Sequence, residues 1–228
     1  AGPGKNEIKE IMERCPDLDL LSFQLYGKIV DLPKYLKESN YQGAYMVTEW
    51  GATGHWEVDT TSWGRPIEQN SHIKALAYKQ RYLDVIIADS NKCIGSYVFL
   101  WGQKQERTPT WYGVFLENGD KTESVDMMQY VWTGNWPENR APKMISLTID
   151  GKEATESVIL SSGIKYEAKT LVEDPENNNL NYRWVILREV EKTKQSDGGD
   201  FEEKPAIVLE LKGNDISSKI HFEVMEKG

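Results

Sequence analysis

Apolar positions in the first 136 residues alternate between helical and strand-like spacing. Residues 6–14 carry Ile8, Ile11 and Met12 at helical intervals, and Pro16 ends the run. Residues 18–26 (LDLLSFQLY) are dense enough in apolar side chains for a buried strand. A short helix is expected over 32–38. Gly43 then introduces a second strand at 44–48 (AYMVT), followed by a Gly-, Thr- and Trp-rich loop over 50–66. Over 67–88, Ile73, Leu76, Ala77, Leu83, Ile86 and Ile87 fall on one face of a long helix. A third strand is expected at 93–100 and a second loop at 101–110. A last helix over 122–132 has Thr122 as its N-cap.

This order predicts a parallel sheet covered by helices. Three strands cannot close a barrel, and a complete eight-stranded α/β barrel takes about 250 residues. The pattern therefore predicts about half of one. After 135–142 (NWPENRAP) the period changes. Short alternating runs occur at 143–149, 158–160, 165–172, 181–190, 206–209 and 219–224. They are separated by turn clusters at Asp150-Gly151, 174–179 (DPENNN) and 197–200 (DGGD). That is the pattern of an all-β immunoglobulin-like sandwich with Trp184 as its core aromatic, about one strand short of seven. The expected division is an α/β part over 1–136, a linker over 137–142 and a sandwich over 143–228.

Composition excludes several function classes. The net charge of −9 and the lack of a basic run argue against nucleic acid as partner. No run of about 18 apolar residues is available for a membrane helix. The opening Ala1-Gly2-Pro3-Gly4 has no leader pattern. Cys15 and Cys93 form no CxxC pair, and His55, His72 and His221 are scattered without ligand spacing, so neither a metal nor a cofactor is expected. Seven of the eight tryptophans precede residue 140, several within the loops rather than in periodic segments. Exposed aromatic faces of that kind suit the C–H surfaces of sugar rings.

The candidate chemistry lies at the carboxyl ends of the predicted strands, the face where barrel sites are built. Val47-Thr48-Glu49-Trp50-Gly51 brings a carboxylate there, the preceding strand ends in Tyr26, and the following one in Trp101. On position alone, Glu49 is equally well read as a surface or capping glutamate. Trp50, His55, Trp56 and Glu57 in the first loop, and Gln103, Arg107 and Trp111 in the second, are further rim positions whose alternative reading is loop packing.

The stretch 17–27 (DLDLLSFQLYG), the VTEWG segment and the strand ending at Trp101 together resemble strands six to eight of clan A glycoside hydrolases. The likeness is to bacterial proteins with a family-two-type barrel and to related β-glucan-acting groups, and it covers about residues 5–136. It implies the C-terminal half of a (β/α)8 barrel in which Glu49 is the nucleophile of a retaining glycosidase or transglycosidase. Tyr26 would hydrogen-bond that nucleophile and Trp101 would floor the sugar subsite, with Trp50, His55, Trp56, Gln103 and Trp111 as further substrate contacts. The partner implied is an oligo- or polysaccharide, and the location secreted, periplasmic or at the cell surface. The family's acid/base glutamate follows an asparagine on strand four. No Asn-Glu pair here sits on an equivalent strand, so that residue is expected upstream of Ala1 and this chain alone is expected to be inactive. Residues 174–184 (DPENNNLNYRW) resemble a stretch of PKD-like and cadherin-like sandwiches, where the acidic turn either holds Ca²⁺ or is a solvated hairpin. Two other readings remain open: a non-catalytic carbohydrate-binding or cell-surface module on a degenerate barrel, and a structural module with the sandwich as spacer.

Overall fold

The computed structural model describes residues 4–191, 202–212 and 216–224. The predicted turn at 197–200 lies outside them. Helix α1 (Lys5–Arg14) buries Ile8 completely. Strand β1 (Leu20–Gln24) is followed by a 3₁₀ turn (Gly27–Asp31) and α2 (Leu32–Ser39). Pro33 lies in the first turn of α2, where a missing N–H costs nothing. Asn40, left-handed at φ 57°, closes it. Strand β2 (Ala44–Gly51), helix α3 (Ser71–Arg81), strand β3 (Cys93–Phe99) and helix α4 (Glu123–Thr133) complete the first region.

The long helix expected over 67–88 is shorter at both ends. Asn70 accepts the Ile73 N–H in its side chain (2.9 Å) and so fixes the start. Beyond Arg81 the backbone widens into a π turn (Tyr82–Ile86) and then tightens into a 3₁₀ turn (Ile87–Asp89).

The first sheet is parallel, in the order β1-β2-β3, and its ladders carry irregularities at their carboxyl ends. Phe23 pairs with Val47, but the next residue, Gln24, pairs with Glu49, which leaves Thr48 as an extra residue. The Thr48 hydroxyl donates to the Phe23 carbonyl (3.2 Å) across this bulge. A bulge shifts the two-residue alternation by one. Tyr45 reaches Asp89 (3.0 Å) just after the π turn, and Trp50 packs on Tyr78 and Tyr82, so both lie on the α3 side although five residues apart. In an unbroken strand an odd separation would put them on opposite faces. The bulge thus turns Trp50 inward and frees Glu49 to the other face.

The expected half-barrel and immunoglobulin-like sandwich are corrected by this topology. The three parallel strands form an open sheet with β1 and β3 as edges, and no barrel closes among the described residues. Twist accumulates by only about 20–25° per strand pair, too little for three strands to wrap round. After residue 142, β4 (Lys143–Ile149), β5 (Lys165–Glu173) and β8 (Lys219–Glu223) make one antiparallel sheet. Strands β6 (Arg183–Leu187) and β7 (Ile207–Lys212) make a separate two-stranded ribbon. Residues 158–160, read as a strand from three apolar positions, pair with nothing in the described ladders. The chain is an α/β arrangement of small sheets, with one large core in the first region and a smaller one around Ala168, Ile220 and Phe222.

The two regions touch. The Ser62 N–H donates to the Ser157 hydroxyl (2.9 Å), and Asn70 donates to the Ile145 carbonyl (3.3 Å). Glu189 accepts from the Trp63 indole (3.3 Å) and Arg65 Nε (2.8 Å). In the acidic 174–179 turn, Asp174 accepts the Glu176 and Asn178 N–H groups (3.0 and 2.8 Å), while Glu176 pairs with Arg140 Nε (2.7 Å). These carboxylates hold a turn to the connecting segment. The Arg140 guanidinium also holds the Glu176 carboxyl below its usual range.

Candidate functional site

At the carboxyl end of the parallel sheet, β2 presents Glu49 beside the end of β1. The Tyr26 hydroxyl donates to Glu49 Oε2 (3.0 Å) and the Gln24 side-chain amide to Oε1 (3.3 Å), so each carboxylate oxygen has its own donor. The backbone repeats the link, with Leu25 N–H donating to the Glu49 carbonyl (2.9 Å). Burial, followed by the Glu49 charge and hydrogen bond, drives the Tyr26 phenol far above its ordinary value. Tyr26 is therefore a fixed donor at neutral pH.

Tyr26 is itself held by a ring of aromatic edges: Trp56 at 5.5 Å, Phe99 at 5.7 Å and Tyr112 at 5.4 Å between centroids. The His55 N–H donates to the Tyr112 hydroxyl (3.2 Å), joining the first loop to the second. His55 also approaches Glu106 at 3.7 Å, and buried Glu106 pairs with Lys104 (2.6 Å).

A second carboxylate builds the rim without facing it. Glu57 accepts three backbone N–H groups, from Gly27 (2.7 Å), Lys28 (2.9 Å) and Gly54 (2.8 Å), and so ties the loop after β2 to the end of β1. A Cβ on Gly27 or Gly54 would meet Glu57 at 3.0 Å or less, so the close approach depends on glycine at both positions. Buried Arg81 donates to the Gly51 carbonyl and to Thr53 Oγ1 (2.7 Å), fixing the same loop from beneath. Farther out, Glu68 is held by Lys74, Thr108 and Thr110, which ties the first loop to the second.

The structure separates the expected rim residues. Glu49 and Tyr26 are in direct contact. Trp56 is 52% exposed and packs edge-on to Tyr26 and His55. Trp101, 50% exposed, follows the end of β3 at the same end of the sheet, but its ring meets Phe115 and Trp132 rather than Glu49. Trp50 and Trp111 do not present to the surface at all. Trp50 is completely buried against Tyr78 and Tyr82, and Trp111 is buried with its indole donating to the Thr53 carbonyl (2.9 Å). His55 is largely enclosed between Trp56, Trp111 and Tyr112. The Gln103 amide donates within its own loop to the Pro109 carbonyl (3.1 Å).

Gln24, Tyr112 and Glu106 were missed by sequence reasoning. Gln24 carried a signal: it lies two residues before Tyr26 on the strand facing Glu49. Tyr112 and Glu106 reach the site only through the folding of their loop.

No protein-family model matches the chain, and no curated protein sequence matches it. In structure the chain is similar to a solved protein from Bacteroides fragilis named "putative beta-galactosidase", at 14% identity and a TM-score of 0.37. That likeness covers 96% of this chain, which spans 38% of the other protein's length. The chemistry of the site rests on its own residues.

Among them, Glu49 combines an oriented carboxylate with an open side. Glu57 is consumed by backbone N–H groups, and Glu106 is buried on Lys104. Such a group can act on a bound carbon centre as nucleophile, or on a bound hydroxyl as acceptor.

Proposed function

We propose that this chain carries the nucleophile end of a glycan-processing site, with Glu49 attacking the anomeric carbon in a retaining glycosidase or transglycosidase acting on β-linked sugars. The observation that carries this reading is the pair of donors on Glu49, one per oxygen. They fix the direction of the carboxylate, and nucleophilic attack needs an oxygen held in line with the carbon it meets. The half-exposed indole of Trp56, packed on Tyr26, supplies an apolar surface for a sugar ring beside the carboxylate.

A dinitrophenyl 2-deoxy-2-fluoro-β-glycoside isolates this step, because its leaving group needs no proton. The Glu49 carboxylate bonds to the anomeric carbon, the C–O bond breaks, and dinitrophenolate departs with the electron pair. The fluorine slows hydrolysis of the resulting ester. With a panel of gluco, galacto and manno reagents, one sugar is expected to add its mass to the peptide containing Glu49. The same reagent should leave Glu49→Gln unmodified. Modification of another residue, or none with any sugar, overturns the nucleophile assignment.

Glycan binding without chemistry is the second reading, favoured by the exposed faces of Trp56 and Trp101. It is the outcome if oligosaccharides quench tryptophan fluorescence while every reagent leaves the protein unmodified.

A further inference from the structure

We propose that Glu202, from the C-terminal region, is a positioning residue that sets the second site loop against the Tyr26–Glu49 pair. This rests on the glycan reading only for its effect on substrate. Glu202 is buried, its side chain fully so, and it accepts the Arg107 backbone N–H (2.7 Å), Arg107 Nη1 (3.3 Å) and the Gln105 side-chain amide (3.4 Å). Arg107 is left-handed at φ 62°, a conformation a non-glycine residue holds only when its surroundings enforce it. Glu202 does so by gripping the residue at both its backbone and its guanidinium, which is only 9% exposed.

Glu106 sits between Gln105 and Arg107, the two residues that Glu202 holds, buried against Lys104 and facing His55. His55 N–H bonds the Tyr112 hydroxyl, Tyr112 packs on Tyr26, and Tyr26 donates to Glu49. Glu202 is thus joined to the carboxylate through the 105–107 backbone, His55, Tyr112 and Tyr26. The loop it anchors also carries Gln103 and Trp101. Glu189 does the same for the first loop through Trp63 and Arg65. The C-terminal region, through Glu189 and Glu202, is therefore part of the frame of the site rather than a spacer. Charge-assisted, buried hydrogen bonds of this kind are strong, and removing one partner leaves the other charge stranded.

The test compares Glu202→Gln with Glu117→Gln. Glu117 pairs with Lys204 of the same C-terminal segment at the exposed surface, so its loss perturbs segment docking without touching Arg107. Hydrogen exchange is read first, because it needs no reagent. Glu202→Gln should speed exchange over residues 103–112 and also at 54–57, while Glu117→Gln should not. Labelling by the reactive fluoro-glycoside is read second. The loop shapes sugar binding while the donors on Glu49 stay in place, so the half-saturating reagent concentration should rise about tenfold and the limiting rate change less than about threefold. Glu202→Asp, which keeps the charge, should recover part of that loss. Exchange changes confined to residues 202–206 overturn the proposal. So does an unchanged half-saturating concentration in a wild type that labels at Glu49. If the wild type does not label, the functional reading fails by itself, and the exchange pattern alone decides the role of Glu202.

Discussion

Replacing Glu57 by alanine tests how the rim is held together, independently of any substrate. Its carboxylate accepts three backbone N–H groups, of which Gly54 is buried, Gly27 half-buried and Lys28 exposed. The Lys28 N–H can turn to water at little cost. The other two lose bonds to a charged acceptor, worth about 1.5–3 kcal/mol each. Glu57 is itself half-buried, so water enters part of the space left, and the lower end applies: about 3 kcal/mol in total. For a chain of this length that lowers the melting temperature by about 6–12 °C. The glutamine variant keeps one good acceptor oxygen and should lose about half as much. Urea unfolding followed by tryptophan fluorescence measures both, and the denaturant slope should stay at the wild-type value if only the folded rim is affected. A loss below about 0.5 kcal/mol, the ordinary scale of a surface substitution, would refute the idea that Glu57 clasps the loop after β2 to the end of β1.

Alkaline pH should destabilise the protein through its buried phenols. Burial raises Tyr26, Tyr45, Tyr78 and Tyr112 above the ordinary phenol value, so above about pH 10 the unfolded chain releases protons that the folded chain keeps, and stability falls as pH rises. Melts and phenolate absorbance across that range check this, and Tyr26→Phe should make the fall shallower; an unchanged slope would count against it. Trp50→Ala should cost about 3–5 kcal/mol of stability, the usual cost of emptying a buried aromatic site. Trp56→Ala should instead weaken glycan binding with little change in the melt, and the reverse pattern would show that the roles of the two indoles had been exchanged.

Short-range features were legible. The helical spacing of Ile8, Ile11 and Met12 gave α1, and the apolar runs gave β1, β2 and β3 within a few residues. Strand position put Tyr26 and Glu49 at one rim, while the hydrogen bond between them came only from the glycosidase resemblance. What escaped was whatever depends on the third dimension. The π turn after Arg81 has the same apolar period as a continuing helix, so nothing in the spacing marks it. Thr122 precedes α4 as expected, but its hydroxyl donates to the Val114 carbonyl (2.8 Å) instead of capping the helix. Residues 158–160 have strand composition and no ladder partner among the described residues, and a strand exists only as half of a ladder. Trp50 was placed at the rim as the start of the loop after 44–48, whereas β2 runs on to Gly51. The extra residue is visible only in the pairing of β2 with its two neighbours.

That extra residue also decides which changes the site tolerates. Thr48 can be exchanged for another residue and the phase of the strand survives, because phase depends on the number of residues and not on their kind. Deleting it is another matter. A regular ladder would rotate the strand's last two side chains together, sending the Glu49 carboxylate toward Tyr78 and Tyr82 and the Trp50 indole to the opposite face. One lost codon would therefore do what no single substitution can: exchange the chemical group and the core group in one step. Lineages of this chain should accordingly drift freely in composition at Thr48 while keeping the length of β2 constant.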